Sequence, residues 1–240
     1  MFVILPFEID FYREHQVEAE YYGNPVLDSI SQFEDAYTPD PRFREKNGLD
    51  EKPIVALLAG SRKQEISLLL PEMLAAAGHF PEHQFVVAGA PSIRPEFYAE
   101  VLAGSRVKVV YDQTYPLLKN AVAAVVTSGT ATLETALLNV PEVVVYKTSP
   151  LTFFIGNFFV KIKYFSLVNL ILDTDAVKEL LQDNLARDIQ AELGMILFND
   201  TYRSAMHNRF RELREILGAP GVANRVAERI YEILLAKPAP

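Results

Sequence analysis

The sequence predicts an α/β fold, a parallel sheet with helices on both faces, and three observations carry that prediction. From residue 54 onward, short apolar runs alternate with segments of helical periodicity, which is the pattern of repeated βαβ units. Residues 121–126 are a short apolar run that reads as a strand buried on both faces, residues 142–146 read as another strand, and Leu133, Leu137 and Leu138 fall between them at helical spacing, so this stretch reads as strand, turn, helix, strand. The turns after two of the strands, Gly60-Ser61-Arg62 and Ser128-Gly129-Thr130, are small and polar, and open α/β sheets bind ligands beyond the carboxyl ends of their strands.

The elements follow in order. Residues 1–5 read as a strand, and Pro6-Phe7-Glu8 leads into a short helix with Ile9, Phe11 and Tyr12 on its apolar face. The opening is abrupt, and a preceding segment is expected. Residues 19–22 form a second extended run, closed by Gly23-Asn24-Pro25. Residues 32–53 hold Pro39, Pro41, Gly48 and Pro53 among charges and read as a linker with a domain boundary nearby. Strands are then expected at 54–58, 84–88 and 107–111. Helices are expected at 64–77 (interrupted at Pro71), 95–102 and 115–120. Residues 176–182 read as helix, with Thr174 or Asp175 as its N-cap. Residues 200–217 are an amphipathic helix whose Arg203, Arg209, Arg211 and Arg214 form a solvated face. Gly218 and Pro220 end it, and 222–235 is a last helix.

Composition excludes several classes. A net charge of −8 over 240 residues argues against nucleic acid as a partner. The absence of cysteine excludes disulfides and thiolate metal sites. His79 and His83 are separated by Pro81 and make a poor metal pair, and Asp173-Thr174-Asp175 is more simply a cap than a chelator. No metal and no cofactor are expected. No secretory signal heads the chain, which favours the cytoplasm. In the apolar stretch 151–172, Gly156, Asn157, Lys161 and Lys163 leave too short a run to span a bilayer. Phe153, Phe154, Phe158 and Phe159 fit either a membrane surface or an aromatic core.

The two polar turns are complementary. Arg62 offers a planar fork for phosphate oxygens, against a surface ion pair with Glu65 as the plainer reading. Gly129 lets the first-turn N–H groups of a helix approach an anion, against an ordinary βαβ turn capped by Ser128 or Thr130. A diphosphate between them needs no metal, and Glu134, one turn into the helix, lies within reach of a ribose attached to it.

With LPFEIDFY, GNPVLD, LLAGSRKQEI, TSGTATLE, VKIKYFSLVNLI, VKELLQ and GAPGVANRVAE in place, the chain resembles the lipid-A-disaccharide synthase family over nearly its whole length. The family has two facing Rossmann-like domains, the GT-B glycosyltransferase arrangement. TSGTATLE recurs in related sugar-nucleotide enzymes, whereas SLVNLI and ELLQ are more specific. Proline stands in some family members at the positions of Ala59 and Val168, and Asp173-Thr174 departs from a more usual Gly-Arg pair, which leaves that loop's role open.

The resemblance implies a carboxyl-terminal, donor-binding portion. Residues 1–34 would be a remnant of the amino-terminal acceptor domain, 35–217 the nucleotide-sugar domain, and 218–240 a terminal helix packing back toward the first domain. It implies transfer from UDP-2,3-diacylglucosamine to 2,3-diacylglucosamine 1-phosphate with release of UDP. Ser61, Arg62, Gly129, Thr130, Glu134 and Asn169 would be the substrate-binding residues; for Asn169 a cap or turn role is the alternative. The catalytic residue is not identified, since the family's candidate base lies in the amino-terminal domain. Implied partners are the donor and UDP, the acylated glucosamine phosphate acceptor, the inner membrane surface and other copies of the chain, with a cytoplasmic, membrane-peripheral location. A UDP-sugar isomerase and a non-catalytic nucleotide-binding protein at the membrane surface are the competing classes.

Overall fold

The computed structural model describes residues 1–147 and 163–236. The chain divides into two compact units, Thr38–Phe210 and the pair of segments Met1–Tyr37 with Arg211–Pro240.

In the larger unit, six parallel strands make one sheet: β3 (Ile54–Leu58), β4 (Gln84–Gly89), β5 (Lys108–Tyr111), β6 (Ala121–Thr127), β7 (Glu142–Tyr146) and β8 (Lys178–Leu181). Their spatial order is β5-β4-β3-β6-β7-β8. All five residues of β3 are buried, which requires helices on both faces. The helix α4 (Lys63–Ala77) packs against α5 (Pro95–Val101) and α9 (Leu185–Phe198), while α7 (Thr130–Leu137) packs against α8 (Leu167–Leu172). Right-handed crossovers put the connections of the two halves on opposite faces, because the strand order runs outward in both directions from β3 and β6. That reversal lies between β3 and β6, which pair directly. The loops that follow these two strands therefore emerge side by side. They are the loops holding Gly60-Ser61-Arg62 and Ser128-Gly129-Thr130.

Two helical expectations are corrected in this unit. Residues 178–181 are the edge strand β8, paired in parallel with β7 from Val143↔Lys178 to Tyr146↔Leu181, not part of a helix. Only Lys178 is exposed between the buried Val177 and Leu180, and pairing with β7 selects the strand over helical propensity. Helix α4 also runs unbroken through Pro71. Pro71 and Ser67, whose carbonyl loses its usual donor, both face solvent, while Leu69, Leu70 and Met73 are buried beside them and hold the helix on the sheet.

The smaller unit contains β1 (Phe2–Val3) and β2 (Glu20–Tyr21), paired in parallel, with α1 (Glu8–Glu14), α2 (Val26–Ala36) and α11 (Val222–Ala236). Helix α10 (Asp200–Leu217) bridges the division in sequence, and α3 (Phe43–Lys46) and α6 (Thr114–Lys119) belong to the larger unit. Helix α2 takes the start of the segment read as a linker, because Leu27 and Ile30 bury one face. The Asp28 carboxylate accepts from the backbone N–H groups of Gly221, Val222 and Ala223 at 2.6, 3.0 and 2.9 Å, so it caps α11 from another helix. Arg225 donates to the carbonyls of Tyr22, Ala219 and Pro220, and Arg229 pairs with Glu20. Gly23, at φ +114°, leaves no room for a Cβ, which would sit 2.7 Å from Val222 Cγ2.

Candidate donor-binding cleft

The loops after β3 and β6 enclose a cleft of about 410 Å³. Ser61, Arg62, Gly129, Thr130 and Glu134 all line it, so residues far apart in sequence meet where the strand order reverses.

The β3 side is built around Glu65. Its carboxylate accepts from the backbone N–H of Ser61 and Arg62 at 3.1 and 3.3 Å and from Arg62 Nη1 at 2.6 Å. Gly60 takes φ +103°, and a Cβ there would meet Glu65 Oε2 at 2.6 Å. Only glycine lets the chain turn this closely over the carboxylate. Ser92 Oγ donates to the Ser61 carbonyl at 3.1 Å and fixes the loop from the β4 side. The Arg62–Glu65 ion pair of the plainer reading is therefore present. It does not remove Arg62 from the cleft. The Arg62 side chain is 79% exposed, and such a pair contributes about 0–1 kcal/mol, less than a charge-assisted contact with phosphate.

The β6 side is the start of α7. Gly129 sits at φ +151° and ψ −163° as the residue preceding the helix, and a Cβ there would meet nothing within 4 Å. Backbone conformation, not crowding, calls for glycine, and the first-turn N–H groups of α7, which have no partner within the helix, follow directly after it. Ser128 Oγ donates to the Phe165 carbonyl at 2.5 Å, and Ser128 N–H to the Val145 carbonyl at 2.9 Å. Glu134 Oε1 accepts from the Tyr115 hydroxyl at 2.6 Å.

Asn169 is not among the residues lining this cleft. It is fully buried in α8. Its amide donates to the Val177 carbonyl and to Glu179 Oε1, and its carbonyl oxygen accepts from the N–H groups of Ala176 and Val177, each at 2.9 Å. Glu179 in turn accepts from the N–H of Phe165 and Ser166 at 2.8 Å. A continuous set of bonds thus runs from Asn169 through Glu179 and Phe165 to Ser128 at the mouth of α7. Sequence reasoning did not find Glu179, because its partners lie 10 to 14 residues away across a segment read as helix. Tyr115 was missed for a similar reason, since only the adjacency of α6 and α7 brings it to Glu134.

Asp173 ends α8 in a left-handed conformation at φ 49° and pairs with Lys163; the N-cap expected at Thr174 or Asp175 has no helix to cap, because the strand β8 follows. No group of three or more metal-ligating side chains occurs among the described residues. The aromatic positions Phe153, Phe154, Phe158 and Phe159 lie outside the described residues.

The family model described as lipid-A-disaccharide synthetase matches residues 1–230. The chain belongs to the lipid-A-disaccharide synthase family. It is 39% identical over 242 residues to the lipid-A-disaccharide synthase of Myxococcus xanthus, and 36% identical over 245 residues to that of Koribacter versatilis. Each match covers 98% of this chain and 62% of the relative, so the chain spans somewhat under two thirds of the length of these synthases. Among solved structures, it is similar to UDP-GlcNAc 2-epimerase from Neisseria meningitidis bound to UDP-GlcNAc, with a TM-score of 0.63 at 15% identity over 93% of this chain and 58% of that one. It is also similar to WaaG, a glycosyltransferase involved in lipopolysaccharide biosynthesis, with a TM-score of 0.59 at 15% identity over 94% and 61%. These likenesses show the fold: a Rossmann-like α/β domain of the GT-B type.

Proposed function

We propose that this chain is the donor-binding portion of a lipid-A-disaccharide synthase. It would hold UDP-2,3-diacylglucosamine while 2,3-diacylglucosamine 1-phosphate attacks and UDP leaves. The observation that carries this reading is the convergence of Arg62 and the Gly129 turn on one cleft with Glu134 beyond them. A diphosphate fits between the guanidinium and the α7 N-terminus, and both stabilise the negative charge that builds on the leaving UDP. Glu134 receives the ribose hydroxyls. Asn169 acts here through Glu179 and the Phe165–Ser128 bond, as a support for the α7 turn.

The reaction also needs a base for the attacking hydroxyl. Of the two carboxylates lining the cleft, Glu65 is bonded into its own loop and Glu134 faces the ribose. The base and the acceptor site are assigned to the part of the synthases that this chain does not span. The parallel pair β1–β2 supports a docking role for the smaller unit, since each strand has two residues and Met1, Ile4 and Phe11 beside it are more than half exposed. Two short parallel strands are not stable as an isolated sheet. No helix among the described residues is long and apolar enough to cross a membrane; attachment to the inner membrane surface is assigned to the aromatic run at Phe153 to Phe159.

The test is turnover by the purified 240-residue chain with both acylated substrates. Positioning of two substrates contributes about 7–11 kcal/mol and a general base about 10²–10⁴-fold, so the chain alone is expected to form no disaccharide. Adding the amino-terminal portion of a relative is expected to restore it. Turnover by the chain alone at the level of a full-length relative would place the base within these residues and refute this division of labour.

A further inference from the structure

Tyr115 lies outside both cleft loops, yet it makes a direct bond to a residue at the heart of the donor site. Its hydroxyl donates to Glu134 Oε1 at 2.6 Å. The element that carries it is firmly held. Leu117 and Leu118 of α6 are fully buried, and Gln113, which precedes the helix, exchanges side-chain amide bonds with Asn47 at 3.2 and 3.3 Å. Thr114, the neighbour of Tyr115, lines the same cleft as Glu134. Burial, reinforced by the Glu134 carboxylate, raises the Tyr115 phenol well above its ordinary range, so it stays a donor throughout neutral and mildly alkaline pH.

A carboxylate has two oxygens and about four acceptor positions. Tyr115 takes one on Oε1, which leaves Oε2 and the rest of Oε1 for the two hydroxyls of a cis-diol. Glutamate is a flexible side chain, and ordering it on ligand arrival costs entropy. A bond from a fixed phenol removes that cost beforehand. We infer that Tyr115 is a positioning residue that fixes the Glu134 carboxylate to receive the ribose, and so makes the cleft discriminate ribonucleoside from 2′-deoxyribonucleoside diphosphates. This rests on the donor-site reading given above.

Calorimetry with UDP and 2′-deoxy-UDP separates the two ideas. The parent chain is expected to favour UDP. Tyr115→Phe is expected to weaken UDP by about 3- to 10-fold, the worth of one net hydrogen bond, and to weaken 2′-deoxy-UDP less, because that nucleotide brings Glu134 one hydroxyl instead of two. In a Glu134→Ala background the same substitution is expected to change nothing, because there is no carboxylate left to hold. Equal weakening of both nucleotides, an effect that persists without Glu134, or tighter UDP binding would overturn the positioning role. Should Tyr115→Phe fail to fold, Glu134→Gln is the second variant: with Tyr115 on one acceptor position of its lone carbonyl oxygen, one position is left for a ribose hydroxyl, so the preference for UDP over 2′-deoxy-UDP is expected to be lost, and retained preference for UDP would refute the inference. A parent chain that binds 2′-deoxy-UDP as well as UDP leaves the cleft reading standing and refutes the role of Tyr115, whereas one that binds neither refutes both.

Discussion

Asn169 and Glu179 share a hydrogen bond of 2.9 Å in the interior of the larger unit, and every polar atom of the Asn169 amide is used in holding the segment from Ala176 to Glu179. The Glu179 carboxylate accepts from two backbone N–H groups and one amide, and no cation pairs with it among the described residues. Asn169→Ala would leave the Val177 N–H and carbonyl without their side-chain partner and take one of three donors from the Glu179 carboxylate. The expected cost is about 2–4 kcal/mol, read as a lowered thermal midpoint together with weaker UDP binding. Loss of UDP affinity at full stability would instead mean that Asn169 touches the ligand.

Asp28 ties two segments 193 residues apart through three backbone donors. Burial opposes its ionised form, but the N–H groups of Ala223, Val222 and Gly221 outweigh this and hold the carboxyl below its ordinary value of 3.8. The stabilisation is therefore complete above that ordinary value and disappears as pH falls through the lower folded-state value. Asp28→Ala is expected to cost about 1–2 kcal/mol at neutral pH, the usual worth of an N-terminal cap. A thermal melt series from pH 6 to acid should show the parent converging on the variant. Parallel curves would contradict the assignment.

Glu142 has the opposite sign. It opens β7 fully buried, its N–H donating to Met206 Sδ, and among the described residues neither carboxyl oxygen has a hydrogen-bond partner. Burial raises its carboxyl well above the ordinary 4.5. The folded state then binds a proton that the unfolded state releases, so this contribution is full below about 4.5 and is lost as pH rises through the folded-state value. Glu142→Gln keeps the shape without the proton. It is expected to melt higher than the parent at alkaline pH and to lose the difference in acid; a constant offset across pH would show that the carboxyl titrates alike in the folded and unfolded states and would contradict this reading.

The sequence exposed the parts of this fold that rest on burial. Strands β3, β4, β6 and β7 are apolar runs buried on both faces, and their positions and the two turns that follow β3 and β6 were legible from pattern alone. Segment 176–182 was not, because Lys178 and Glu179 at a sheet edge carry no apolar run, and only pairing with β7 makes them a strand. Ser61, Arg62, Gly129, Thr130 and Glu134 stood out because each has a chemical use at a turn or helix start. Tyr115 and Glu179 did not, since their value lies in a partner that only the folded chain brings near. The GNPVLD and GAPGVANRVAE segments were visible as matches to a family, but their mutual dependence through Asp28 appears only in three dimensions.

Binding of UDP tests the central claim most directly. Titration of the purified chain with UDP in the presence of EDTA is expected to give metal-independent binding, in preference to GDP and ADP. Hydrogen bonds to a charged group contribute about 1.5–3 kcal/mol, so Glu134→Ala is expected to weaken UDP by about 10- to 150-fold. Heat of binding that appears only when a divalent metal is added, or the same affinity in parent and Glu134→Ala, would contradict a cleft in which Arg62, the α7 N-terminus and Glu134 hold the nucleotide.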